Sequence, residues 1–284
     1  MKIALGAERL LLVSGKGGVG KSAVATALAI RALRQGRRVL LVDVVGGGGL
    51  APHLGVGALD FTPREVRPGL FALSVDRSRA LLEYLQVQIG VPGLLTLGPV
   101  ARAFDALAAT APGIREIVTL GKVLWEVKQA RYDVVVADGP PTGQVAGFLR
   151  APATIADLVP AGRVRAQAEW MAEILIEPNI SRLVMVTLAE ELPTIESEET
   201  LAYLAEEKLV GSHMIAANRV LPRLESEAVG SGVAAEAAAL HRSLYQGQQS
   251  WLECLPPDVT LPFLFGLLTP GEVAARLADV WDEQ

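Results

Sequence analysis

The chain has 284 residues, 51% of them hydrophobic, which is ample for one large buried core. Its net charge of −5 argues against the basic face that non-specific nucleic-acid binding needs. The single cysteine, Cys254, excludes an internal disulfide framework or a cysteine-based zinc site within one chain, and is expected as a buried thiol. No basic leader with an apolar run and cleavage site opens the sequence, and no uncharged stretch is both long and unbroken enough to span a bilayer. A cytoplasmic protein with no nucleic-acid partner and no integral membrane segment is the expectation.

Taken in chain order, residues 10–13 read as a short apolar strand and residues 22–34 as an alanine-rich helix. Between them stands Gly15-Lys16-Gly17-Gly18-Val19-Gly20-Lys21-Ser22, with Ala23 next, in which Gly15, Gly20, Lys21 and Ser22 satisfy G-x-x-x-x-G-K-[ST]. Strand, glycine loop and helix together turn successive backbone N–H groups toward one point at a helix N-terminus, where a phosphate is favoured. Lys21 is placed for the β- and γ-phosphates and the Ser22 hydroxyl for Mg²⁺.

A second strand, 38–42, runs into Asp43-Val44-Val45-Gly46-Gly47-Gly48-Gly49, and a third is expected at 70–74. From about 58 to 110 the strand–helix rhythm weakens, so a small helical insertion is expected there. Within it, residues 84–101 carry no charge but are broken by Pro92, Gly93, Gly98 and Pro99, which reads either as buried loop and helix or as an apolar contact surface. A helix at 114–128 precedes a strand at 133–137, which delivers Asp138 to its C-terminal edge, where ligands bind in such sheets. An acidic residue there orients the water shell of Mg²⁺, and the turn-rich Gly139-Pro140-Pro141-Thr142-Gly143 is placed to sense a γ-phosphate and move with it.

Further on come a strand at 183–187 and a helix at 194–207, with Thr194 as its N-cap and Glu196, Glu198 and Glu199 as a solvated helix start. A strand at 211–217, a surface helix within 229–240, a short strand within 255–261 and a helix at 270–281 complete the pattern. His53, His213 and His241 are scattered without metal-ligand spacing. The whole is an α/β fold: a single phosphate-loop (P-loop) NTPase domain over 1–284, with a mostly parallel central sheet flanked by helices.

The glycine loop, Asp138-Gly-Pro-Pro-Thr-Gly143 and Phe148-Leu-Arg-Ala-Pro152 together resemble the ArsA/GET ATPases, within the MinD/ParA class. The likeness extends over most of the chain and takes in Pro112, Gly113 and Glu116, similar to a P-G-x-x-E segment of that family. It implies ATP or ADP with Mg²⁺ as ligands, held by residues 15–23 with Ser22, Asp43 and Asp138 at the metal. Asn218 and Arg219 match the loop that meets adenine, and Pro262 and Phe263 the loop that covers it. It further implies that Lys16 reaches across a homodimer or a heterodimer with a homologue, acting with Lys21 and Asp138 in catalysis.

The pattern breaks after the second strand, where the family has D-x-D-P. Asp43 holds the first position, but Val45 replaces the aspartate that positions water and Gly46 replaces the proline, which loosens this switch. Hydrolysis is therefore expected to be weak. With one cysteine and no CxxC clasp, neither metalloid capture by cysteines nor a zinc-held dimer is expected; residues 84–101 fall in the region that forms the client-binding surface of the family, so the resemblance implies an apolar protein or helix as client. The alternatives are a non-hydrolysing regulatory subunit that pairs with an intact homologue, and a positioning ATPase, which the acidic tail (Asp279, Asp282, Glu283) disfavours.

Overall fold

A computed structural model describes residues 8–89, 113–224 and 232–283. The first half of the chain runs β1 (Leu10–Gly15), α1 (Lys21–Arg34), β2 (Val39–Asp43), α2 (Leu50–Leu54), β3 (Arg64–Arg67), β4 (Leu70–Ser74) and α3 (Arg77–Ile89). The second half runs α4 (Ile114–Gln129), β5 (Val134–Asp138), α5 (Thr142–Leu158), α6 (Arg163–Ile176), β6 (Ser181–Leu188), α7 (Glu191–Glu206), β7 (His213–Val220), α8 (Val233–Cys254), β8 (Val259–Pro262) and α9 (Pro270–Glu283).

The strands form one sheet in the order β3-β4-β2-β5-β1-β6-β7-β8, parallel except for β3, which is antiparallel to β4. Successive strand residues point to opposite faces, and both faces are apolar. Leu11, Val13, Leu41, Val136 and Val186 turn to a layer completed by α1, α2 and α9. Leu10, Leu12, Leu40, Val135 and Met185 turn to a layer completed by α4, α5, α6 and α7. Continuous apolar runs in β1, β2 and β5 are thus what a sheet covered on both sides requires.

Several expectations need correction. The strand expected at 70–74 is present as β4, but it pairs with an unexpected strand, β3, that follows irregular residues 58–63, and a helix of the insertion, α3, begins at Arg77. β3 escapes sequence reading because Arg64-Glu-Val-Arg67 is a mostly exposed edge strand with one apolar residue. The rest of the insertion, including residues 90–101 of the uncharged stretch, lies outside the described residues. α7 starts at Glu191, so Thr194 is not its N-cap but a buried residue of the first turns, its hydroxyl donating to the Leu188 carbonyl (3.2 Å). Helices α5 and α6 occupy a stretch where the sequence reading places no element. Cys254 is exposed at the end of α8, a helix with no buried residue, rather than buried. Among the described residues no helix is long and apolar enough to cross a membrane.

The C-terminal helix α9 closes the α1 layer. Trp281 is 1% exposed within it, and Asp279 and Asp282 meet Arg34 at 2.7 and 3.1 Å. These rim ion pairs add little, whereas the indole fills the layer. Trp281→Ala is expected to destabilise the chain by about 3–5 kcal/mol, read as a lowered urea midpoint at an unchanged slope.

Candidate functional site

The register of three strands builds the site. Val13 of β1 pairs with Asp138 of β5, and Asp138 pairs with Asp43 of β2, so the strand ends stand level at one edge of the sheet. The loop leaving β1 bends over that edge. At Gly15 (φ +149°) a Cβ would lie 2.0 Å from the Val186 carbonyl oxygen, so only glycine allows this approach of backbone to β6. Gly20 (φ +96°) caps α1 in the left-handed region, and a Cβ there would lie 2.5 Å from Asn218 Nδ2. Val19, 1% exposed, anchors the loop in the core while Gly17 and Gly18 are exposed at its crest; Ala23 is buried below.

Beneath the loop, Ser22 Oγ donates to Asp138 Oδ2 (2.6 Å). Asp138 is 7% exposed, and its Oδ1 finds no hydrogen-bond partner among the described residues. Burial, with Asp43 alongside, pushes its carboxyl from 3.8 up to about 6, against the opposing pull of the Ser22 hydroxyl and Lys21. Burial likewise lowers Lys21, with Asp138 opposing. Lys21 Nζ donates to the Lys16 carbonyl (3.2 Å), curling over the loop.

A buried carboxylate oxygen without a partner, next to a serine hydroxyl, suits a hard divalent cation that keeps part of its water shell. Among the described residues no cluster of three histidine, cysteine or acidic side chains is arranged for a metal, so Mg²⁺ would need phosphate oxygens to complete its shell. Asp43 is differently engaged: Oδ1 accepts from Gly46 N and Oδ2 from Gly48 N, both at 2.9 Å. Val45 is 49% exposed and lines a groove of about 510 Å³ with Pro140, Gly143, Phe148 and Arg115.

Of the residues matched to the adenine loops, Asn218 has both side-chain polar atoms engaged within the chain. Asn218 is buried under the phosphate loop and donates to the Val19 carbonyl (2.8 Å), while its own oxygen accepts from Arg219 N (2.9 Å). Pro262 ends β8, and Phe263 N donates to the Val220 carbonyl (2.7 Å), so β7 and β8 bring both loops to the same end of the sheet. Lys16 pairs with Glu196 of α7, whose other oxygen accepts from Thr142 Oγ1 (3.1 Å). Glu196 was expected as part of a solvated helix start. Its exposed neighbours Glu198 and Glu199 fit that description, but Glu196 does not. Nothing in the sequence signals this pairing, because it depends on how α7 lies against the loop.

The chain is similar to several known ATPases. The sequence profile of the ArsA ATPase family, described as anion-transporting ATPase, matches residues 8–166. The chain is similar to the ATPase BagA of Mycobacterium tuberculosis, 37% identical over 236 residues, which is 77% of this chain and 67% of that protein. It is similar to the arsenical pump-driving ATPase of Acidiphilium multivorum, 29% identical over 95% of this chain and 48% of that protein. It is also similar to the ATPase GET3 of Podospora anserina, 30% identical over 52% of this chain and 44% of that protein. The matches to these last two therefore span about half the relative's length or less.

The strained Asp138 makes a signed prediction. Its folded value is raised, so the folded chain holds the proton more tightly, and that stability is lost as pH rises through about 6. Above this pH the ionised carboxylate weakens the nucleotide-free chain by on the order of 2–3 kcal/mol. Asp138→Asn should raise the melting temperature by roughly 4 °C or more at pH 7.5, by much less at pH 4.5, and should remove stabilisation by ATP with Mg²⁺. Differential scanning fluorimetry checks all of this, and an unchanged melting temperature at pH 7.5 would overturn it.

Proposed function

The chain belongs to the anion-transporting ATPase (ArsA) family, and on that premise we propose that it is an ATP-binding switch whose hydrolysis is slow. The loop at residues 15–23 cradles the phosphates, with Lys21 on the β- and γ-phosphates and Lys16 serving a partner subunit once it leaves Glu196. Ser22 and Asp138 would hold Mg²⁺, and that ion would supply positive charge to offset what builds up on the phosphates during transfer.

The observation that carries the slow-turnover reading is Val45. The side chain that follows the β2 edge at the place of a water-positioning acid is apolar, half exposed and turned to a groove. Asp43 cannot readily substitute, because both its oxygens already hold the turn at Gly46 and Gly48. Binding rests on other residues, so it survives the loss. Loss of a positioned base lowers a rate by on the order of 10²–10⁴.

The rest of this reading is a dimer, of two copies or with a homologue, that exchanges between nucleotide states and binds an apolar protein client. The stretch of about 58–110 supplies the client face. Among the described residues, the groove beside Val45 touches that stretch at Arg77 alone and mixes Phe148 and Ala151 of α5 with Arg115, Glu116 and Arg150, while Pro140 and Gly143 of the switch segment form part of its wall. A client seated there is coupled to the nucleotide edge through the backbone itself.

The test is turnover and binding on purified protein. The wild type is expected to bind ATP with Mg²⁺ and Lys21→Ala to lose that binding. Val45→Asp should raise single-turnover hydrolysis by on the order of 10²-fold with little change in affinity. Equal rates for wild type and Val45→Asp would sink the slow-turnover reading.

A further inference from the structure

Glu196 has no part in the nucleotide site as described, yet it touches both segments on which that site turns. Oε1 pairs with Lys16 Nζ, at the crest of the phosphate loop, and Oε2 accepts from Thr142 Oγ1 at 3.1 Å. Thr142 is the first residue of α5, directly after the Gly139–Pro140–Pro141 turn. A single carboxylate on α7 thus joins two segments that are otherwise distant in the chain.

The surroundings show that this is a clasp and not a chance surface contact. Gly139 N donates to the Val13 carbonyl (2.8 Å) and Ser14 Oγ to the Pro140 carbonyl (2.7 Å), so the base of the turn is fastened to β1. Glu196 closes the other end of the same structure. Thr142 is 5% exposed, so its hydroxyl needs an acceptor, whereas Lys16 and Glu196 side chains are 32% and 38% exposed. An ion pair in that setting is weak enough to open. Lys16 foremost, with Thr142 helping, holds the Glu196 carboxyl below its usual range. Both lysines of the loop are therefore occupied within the chain, Lys21 by the Lys16 carbonyl and Lys16 by Glu196.

We propose that Glu196 is a positioning residue that holds Lys16 in cis and couples its release to movement of Thr142. In the clasped state Lys16 is unavailable to any phosphate, its own subunit's or a partner's. A shift of the 139–143 segment withdraws the Thr142 hydroxyl, removes one of the two supports of the carboxylate, and frees the ammonium group. The device deepens the ATP-binding reading and rests on it. It makes the availability of the loop's first lysine conditional.

The experiment has two readouts. In the nucleotide-free chain, acylation of Lys16 by an amine-reactive ester, followed by mass spectrometry, should be several-fold faster in Glu196→Gln than in wild type, with Lys208 as an internal reference. Unchanged reactivity at Lys16 overturns the clasp whatever the protein binds. In the second readout, titration with fluorescent ATP and Mg²⁺ should show about fivefold tighter binding for Glu196→Gln, as expected when a competent state rises from about a fifth of the population to nearly all of it. Thr142→Val should move both readouts in the same direction by less. The gain must vanish in a Lys16→Ala background, since the effect acts through that lysine; a gain that persists there overturns the proposal. A wild type that binds no ATP, with Lys16 reactivity still released by Glu196→Gln, overturns the nucleotide reading and leaves the clasp standing.

Discussion

Val13, Asp138 and Asp43 stand in one row across β1, β5 and β2, and this parallel register brings two carboxylates side by side at an edge that is largely closed to water. In a sheet with both faces covered, such groups have few ways to be satisfied. Asp43 meets the need with backbone N–H groups of the turn that follows it. Asp138 meets only half of it, through Ser22, and keeps one oxygen without a partner. A buried carboxylate in that condition is costly unless something positive arrives. The phosphate loop is laid over the same edge, so the unsatisfied charge and the ligand cradle are consequences of one register.

That register also explains which parts of the molecule were legible in the sequence. Strands β1, β2 and β5 are continuous apolar runs because both faces are buried, and such runs are readable without knowing their neighbours. The phosphate loop is readable because Gly15 and Gly20 are demanded by contacts that tolerate no side chain. Asp138 follows, since it ends one of those runs. What depends on tertiary approach was not readable. Arg64-Glu-Val-Arg67 pairs only because β4 offers it an edge. Asn218 clamps the Val19 carbonyl only because β7 ends under the loop. Glu196 looks in sequence like its solvated neighbours, and differs only in facing Lys16 and Thr142.

The glycine run after Asp43 takes on a different meaning in three dimensions. Read as sequence, it loosens a switch. In the folded chain Gly46 (φ +74°) and Gly48 (φ +73°) occupy left-handed positions and turn their N–H groups to the Asp43 carboxylate. A Cβ at Gly46 would also lie 3.0 Å from the Val75 carbonyl oxygen. The glycines are thus required by a turn that wraps one acid, and the run is a specific structure as well as a permissive one. The same wrapping leaves Val45 on the outer side of the turn, facing the groove rather than Asp43.

The two halves of the nucleotide edge are therefore built for different tasks. Around Ser22, Asp138 and Lys21 the structure concentrates charge that has not been compensated, which favours capture of an anionic ligand with its cation. Around Asp43 and Val45 it has already satisfied the available acid and presents an aliphatic side chain, which favours nothing in particular about an attacking water. An interaction that stabilises bound ligand and transition state alike improves affinity without improving rate. The binding half supplies just such interactions, and the turn at Val45 supplies none selective for transfer. On the proposed reading, a site of this composition holds its ligand long enough for the state of the 139–143 segment, rather than the chemistry, to be what the rest of the molecule responds to.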